Sequence, residues 1–585
     1  MGTKNKSRDL LKYIFIILAA GSVLANIKSI FTDFGIDSEY AIAMSYRMVQ
    51  GDRMFVEMWE PHQTSAFLCA ALMKVYISLT GTLTGVVLYL HIMGLIIHSI
   101  VTAFLYRTLR KQISFEITFL MCLFFFTVRP KEIPLPEFSN MSLWFSALMF
   151  CCLVSYFREQ NRKRWLLLTC VCLCLQILSY PTCLIVYFLV VYLLVKYSTE
   201  KRKDILLLSF GCVLSGVLYL SYFCARLGIS EFGLYLRYIL TSYSSHDSGL
   251  ADRIVAYGQD IGITLFMLGI FMCLSIVIGL LNLVFLKLKD RLRKRKTPIQ
   301  TRTIMKISII SFFVLLLLFE LYNVFFILDF EIYSTLFYSH SLKYIPIIAA
   351  GYFGLRFCNR EENQIVRVGM TLAMGSFAAA ALLSNLLLFA SLNYILLGGM
   401  AAMIPISKIL EREFDTRKNH YKYGMLILLC LTVIIRRGST LQESASASIF
   451  EVRGIVKSGP AIGFVSAYLP PYIINTTARE WDENIRPNDK VLIATGQFVL
   501  STLPYLFEDV EISVHSTICT PTFDETLLHY WELNPHKRPN VVVVSCWFGN
   551  LNAEKDSWIM QWIENEFQPS SYVDGSYWRF YRLEE

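Results

Sequence analysis

The chain has 585 residues, 55% of them hydrophobic and 17% charged, with a formal net charge of +9 and a mean hydropathy of +0.49. A soluble domain carries nearer about a quarter charged residues, so an ordinary soluble enzyme is excluded. Repeated apolar runs of roughly 15–25 residues instead predict a polytopic α-helical membrane protein. The positive charge does not point to nucleic acid, because the basic residues sit in short loops between apolar runs, where they set orientation and touch anionic headgroups.

The first twelve residues, MGTKNKSRDLLK, lead into an apolar run at 13–31 with no small-residue cleavage site, which reads as an uncleaved anchor. Further apolar segments follow at 65–79, 85–105, 113–128, 141–157, 165–180, 182–196, 205–224, 261–285, 307–329, 344–356, 368–390, 392–409 and 421–435. If 65–79, which carries Lys74, lies at the interface and the N-terminus is cytoplasmic, the cytoplasmic segments hold 32 Lys and Arg and the exported loops 9. Placing 65–79 across the membrane reverses that bias, which the positive-inside rule rejects. The expectation is 13 crossings, with the loop after the first span and the C-terminus both outside, in a plasma membrane of bacterial type.

That first loop, TDFGIDSEYAIAMSYRMVQGDRMFVEMWEPHQTSAFL (32–68), is rich in acids beside hydrocarbon, where acids are costly and mark function. It holds Asp37, Glu39, Glu57, Glu60 and His62, with a helix expected over Tyr40–Gly51. Asp37 is a candidate general base or, equally, the N-cap of a Ser38–Gln50 helix. Glu60 and His62 are candidates for a cation or a sugar, and Glu60 before Pro61 also suits a helix start. The second exported segment, RPKEIPLPEFSN (129–140), carries Arg129 and Glu137, and EIYSTLFYSHSLK (331–343) supplies His340 and Lys343. Arg129, Arg237 and Lys343 are phosphate-binding candidates, against a bland reading as headgroup contacts.

Most of the 15 Cys lie in apolar runs and read as small fillers; a spacing of two residues keeps Cys170, Cys172 and Cys174 from sharing one metal site. KLKDRLRKRK (287–296) reads as a topology anchor, and Glu320 and Asn323 as partners on one helix face. From Arg436 the spanning runs stop and strand and helix signals alternate. KVLIAT (490–495), NVVVVSCWF (540–548) and SYWRFYRL (576–583) read as strands. TFDETLLHYWEL (522–533) and EKDSWIMQWIENEF (554–567) read as helices, the second capped by Asn552. The division expected is 1–435 for the membrane module and 436–585 for a small extracytoplasmic α/β domain, in which a Cys519–Cys546 disulfide is an option. Asn475-Thr476-Thr477 is a glycosylation sequon by pattern only.

Asp37, Tyr40, Gly51-Asp52 and Trp59-Glu60-Pro61-His62, in that order after a first span, resemble the first exported loop of the C-type (GT-C) membrane glycosyltransferases. The resemblance is to the branch that contains protein O-mannosyltransferases and the lipid A aminoarabinose transferase. Motif similarity is confined to about 33–68, and the layout likeness covers 1–435. The family's usual Asp-Glu pair stands here as Asp37-Ser38-Glu39, which leaves open whether Glu39 shares the work of Asp37. The resemblance implies a polyprenyl-phosphate sugar donor, a glycan or lipid acceptor and an inverting transfer. Glu137 matches by position the acid that the family places in its second exported loop, as an acceptor or orientation contact. Asp37, Glu39 and Glu137 are the candidate catalytic residues, and Tyr40, Glu60, His62, Arg129, Arg237, His340 and Lys343 the candidate substrate contacts. The resemblance implies no certain cofactor; a divalent cation on Glu60 and His340 is left open. A lipid-linked-sugar flippase would need ionisable residues at mid-span and paired broken helices, and a polysaccharide polymerase or ligase an Arg-rich large loop. Neither pattern is prominent, since loop 225–260 holds just Arg226, Arg237 and Arg253.

Overall fold

A computed structural model describes residues 2–583 except 33, 61, 130–133, 160–161, 230–231, 234, 238–249, 293–300, 326–328, 331–332, 384–392, 414–420, 442–447, 496–499, 518–524 and 553–556. Among the described residues the expected apolar segments fold largely as helices. They are α1 (Gly2–Thr32), α2 (Ile36–Gln50), α3 (Ala66–Thr80), α4 (Val86–Leu109), α5 (Phe115–Thr127), α6 (Phe138–Arg158), α7 (Lys163–Ser179) and α8 (Ile185–Tyr197). There follow α9 (Lys201–Leu227), α10 (Leu250–Leu292), α11 (Thr301–Phe325), α12 (Thr335–Gly354), α13 (Arg360–Leu383), α14 (Leu396–Glu413) and α15 (Tyr421–Ser439). Among the described residues, six of them are long and apolar enough to cross a membrane: Asp9–Thr32, Val86–Leu109, Phe138–Arg158, Lys201–Ala225, Ile254–Leu288 and Arg360–Ala381. The chain is a polytopic helical membrane protein. Further apolar helices at Phe115–Thr127, Pro181–Tyr197, Ile307–Tyr322 and Tyr344–Phe357 are shorter than a straight span.

Segment 65–79 folds as α3, which packs on α2 and α4. Helix α2 starts earlier than expected. Extended Gly35 is its N-cap, so Asp37 lies inside the first turn rather than at the cap. An acid there still faces the unpaired N–H groups and positive end of the helix dipole. The helix stops at Gly51, whose φ of +104° suits a residue without a side chain and whose N–H bonds the carbonyls of Arg47 and Met48.

After α15 the polar region begins with α16 (Leu469–Asn484). A sheet follows, built from β1 (Lys490–Thr495), β2 (Glu511–Ile512), β3 (Val541–Trp547), β4 (Asn550–Leu551), β5 (Ser571–Asp574) and β6 (Trp578–Arg582). The order is β2-β1-β3-β6-β5, with β4 paired to β3. β1 runs parallel to β2 and β3, while β6 is antiparallel to β3 and β5. The apolar runs Val491–Ala494 of β1 and Val541–Val544 of β3 are buried, as continuous apolar runs should be in a covered sheet. SYWRFYRL supplies the last strand in chain order, β6, with β5 paired on its outer side. Of TFDETLLHYWEL the described part is the helix Glu525–Leu533, and the final helix is one short turn, Trp558–Trp562, continued by a π turn over Ile563–Phe567. Its N-cap is Ser557, not Asn552, whose N–H instead bonds the Ser545 carbonyl at 2.9 Å. Cys519 lies outside the described residues. The sequon residue Asn475 sits in α16, where its amide bonds Lys457 N and Ile455 O.

Two large buried clusters hold the molecule together. One fills the helical bundle. The other runs without a break from the first loop into the polar domain, joining Ile42, Tyr46, Trp59 and Met73 to Trp481, Val491, Val542 and Trp578.

Candidate functional site

The acids of the first loop sort by environment. Glu39 is 1% exposed. One of its oxygens accepts backbone N–H bonds from Ser501 at 2.7 Å, Thr502 at 2.9 Å and Leu503 at 3.2 Å, and the Ser501 hydroxyl at 3.2 Å. Those N–H groups open the 3-10 turn Leu503–Leu506, so Glu39 caps an element more than 460 positions downstream. Burial pushes its carboxyl above the usual range, against the pull of the three N–H donors.

Glu60 is also fully buried. Its two oxygens take the Thr517 N–H at 2.6 Å, the Thr517 hydroxyl at 2.9 Å, the Ser516 hydroxyl at 2.6 Å and Arg47 at 3.3 Å. Arg47, buried beside it, bonds Asp52 at 2.8 Å, and Lys537 of the polar domain reaches the other oxygen of Asp52 at 2.6 Å. Burial pulls the Arg47 guanidinium down, but Asp52, Tyr530 and Glu60 outweigh it and hold the charge. Glu57 takes Arg53 at 2.6 Å. These acids fasten the loop to the polar domain. With four donors on its carboxylate, Glu60 fits an anchor and not a cation ligand.

Asp37 differs from them. It is half-buried at the start of α2 and keeps solvent access, in contrast to Glu39, Glu57 and Glu60. Tyr40, one turn on, is buried at 2% exposure.

The loop after α1 and the segment before α6 meet through stacked rings. His62 lies 4.4 Å from Phe138 and 5.4 Å from Tyr180, all nearly parallel. Phe138 follows Glu137, which is the N-cap of α6 and accepts the N–H groups of Ser139 at 2.8 Å and Asn140 at 2.7 Å. Tyr394 donates its hydroxyl to Ser139 at 2.7 Å and packs on Tyr180. The Cys69 thiol, beneath the loop in α3, is pushed up to about 12 by burial, with Glu137 adding to the effect. The approach depends on Gly94 of α4, where a Cβ would lie 1.8 Å from the Pro134 carbonyl oxygen.

Other expected residues lie elsewhere. Arg129 is fully buried and fastened to α1, its Nη2 bonding Asn26 at 2.7 Å and Ser29 at 2.9 Å. Arg237 is exposed on a short helical stretch with Tyr235, which packs on Trp59. His340 and Lys343 fall in α12, and their side chains, like that of Asn323 beside buried Glu320, lie outside the described residues.

Sequence reasoning missed Phe138, Tyr180 and Tyr394. The polar break Tyr180-Pro181 between two apolar runs was their available signal. It also missed a convergence of thiols. Cys170 and Cys174, one turn apart on α7, meet Cys212 of α9 with all three sulfurs within 4.8 Å, while Cys172 turns to another face. Among the described residues this is the sole His, Cys, Asp or Glu group close enough to hold an ion. It lies between bundle helices, on elements separate from the first loop.

No family model and no curated protein matches the chain. Among solved structures it is similar to an Archaeoglobus fulgidus oligosaccharyltransferase tethered to an acceptor peptide containing the NVT sequon. That match has 10% identity over 92% of this chain and 69% of the other, with a TM-score of 0.44. A second is the archaeal oligosaccharyltransferase AglB from Archaeoglobus fulgidus with an inhibitory peptide and a dolichol-phosphate, at 8% identity, 90% and 69% coverage and TM-score 0.42. A third is apo ArnT from Cupriavidus metallidurans, at 10% identity, 97% coverage of both chains and TM-score 0.40.

Proposed function

We propose that the chain is an inverting membrane glycosyltransferase that moves one sugar from a polyprenyl-phosphate carrier to a cell-envelope glycan or lipid on the non-cytoplasmic face. The observation that carries this reading is the sorting of the loop acids. Glu39, Glu57 and Glu60 are committed to holding the loop, and Asp37 keeps access to solvent at the same membrane-proximal position.

In the transfer, Asp37 takes the acceptor hydroxyl proton as that oxygen bonds to the anomeric carbon. The bond from the anomeric carbon to the lipid phosphate breaks on the opposite face, and the phosphate leaves with the electron pair. A positioned base of this kind contributes about 10²–10⁴-fold. Glu137, held at the start of α6, orients the acceptor side, and the His62–Phe138–Tyr180 stack keeps the two exported segments in register. Lys343 and Arg237 are the cations proposed to receive the departing phosphate. Orientation follows the charge bias, with the N-terminus in the cytoplasm.

The test is incubation of purified protein with a panel of polyprenyl-phosphate sugars, scoring release of the lipid phosphate. Asp37→Asn is expected to lower release by at least about a hundredfold while the protein stays folded. Unchanged release retires the assignment.

A further inference from the structure

At the end of the bundle away from the first loop lies a cavity of about 670 Å³ that the transfer does not use. Helix α6 runs from Phe138 at the loop to Arg158 at the cavity; 21 residues span about 30 Å. The two places therefore stand at opposite membrane faces.

The mouth of this cavity is cationic. Arg158 ends α6, Lys196 lies in the last turn of α8, and Arg360 begins α13. Lys196 is oriented by the Tyr192 hydroxyl at 3.0 Å and lies over the Tyr197 ring. Neither guanidinium has a hydrogen bond or ion pair among the described residues, although Arg162 and Arg164 nearby both engage Glu159. The start of the 24-residue α13 adds the positive end of its dipole. Glu361 supplies one opposing charge, so the lining is net positive. Deeper in, the amide nitrogen of Gln112 is shut from solvent with no partner among the described residues, and Val154, Ile365 and Val368 make an apolar floor.

We infer that this cavity binds a phosphate group of net negative charge, from an anionic lipid head or from a soluble phosphate. Arg158 and Arg360 grip the anion, Lys196 adds a point charge and Gln112 donates a neutral hydrogen bond. The volume falls in the range of small-molecule sites. The apolar floor suits the first carbons of a lipid.

The test uses the full chain purified in uncharged detergent, titrated separately with short-chain phosphatidylglycerol, phosphatidylcholine and inorganic phosphate. Bound species are read by native mass spectrometry and the unfolding midpoint by a thermal ramp. Phosphatidylglycerol or phosphate is expected to bind in preference to phosphatidylcholine. R158Q/R360Q is expected to weaken that binding about tenfold or more, the loss of two charge-assisted contacts. R162Q/K203Q, which removes two charges from the same face outside the cavity, is expected to change it by less than about twofold. Glu361→Gln is expected to tighten it. Binding of phosphatidylglycerol alone identifies a lipid head, and equal binding of inorganic phosphate identifies a soluble source; either supports the site. Absence of preferential binding by the wild type, or equal weakening in both double variants, overturns it.

Discussion

The roles of Asp37 and Glu39 separate cleanly by experiment, although the two residues are neighbours in one turn of helix. Glu39→Gln can present its amide oxygen to the same three N–H groups, so activity is expected to stay within a few-fold. Asp37→Asn is expected to abolish phosphate release. Loss in both would return Glu39 to the chemistry. Glu39 also sets a pH response. Its carboxyl is raised in the folded protein, so folding favours the protonated form. Its contribution to stability is complete below the unfolded value near 4.5 and is lost as pH rises through the folded value. The gap in unfolding midpoint between wild type and Glu39→Gln should therefore change as pH rises above 4.5. Arg47→Ala leaves Glu60 buried without its cation and Asp52 with Lys537 alone, at a cost of about 3–5 kcal/mol, visible as a lowered midpoint or lost expression. The sequence marked this loop as acidic, but could not show which acids are anchors. Their partners are backbone N–H groups of residues 501–503 and 517, and such groups carry no sequence signature.

At the level of single elements, the placement of Glu137 rests on two features. As N-cap it satisfies two N–H groups of α6, so Glu137→Ala is expected to cost about 0.5–2 kcal/mol apart from any loss of activity. Gly94 admits the second exported segment against α4. Gly94→Ala is expected to displace Pro134 and Leu135, lowering phosphate release at least about tenfold; a rate equal to wild type would show that the segment can shift without consequence. Long apolar helices and the two Val-rich strands were legible because hydrophobic runs are a direct record of burial. Helix α16 was not, because Pro470, Pro471, Thr476 and Thr477 lower its apparent propensity, while Pro in the first turn is harmless in place. Strand β5 was missed because it is exposed along its whole length and shows no alternation. The cap of the last helix fell on Ser557 because that residue, and not Asn552, adjoins the first helical turn.

For the molecule as a whole, the change of composition at Arg436 marks where spanning runs cease, while the second buried cluster crosses it. Ile42, Tyr46 and Trp59 fill the same core as Trp481 and Val542, so residues 436–585 alone lack part of their interior. Expressed alone, that fragment is expected to be protease-sensitive. A compact, resistant fragment would show that the loop is dispensable to it. Composition could reveal the boundary in polarity but not the shared core, since a contact between distant segments leaves no trace in either one.

The downstream position of those anchor partners has a consequence for biogenesis. Ser501 follows Glu39 by 462 positions, and a ribosome adding about 5–20 residues per second needs roughly 25–90 s to reach it. Throughout that interval the final partners of Glu39 and Glu60 are not yet made. The stretch from residue 501 thus acts as the closing clasp on the loop after α1, and a chain truncated before residue 501 would present quality-control proteases with an opened loop.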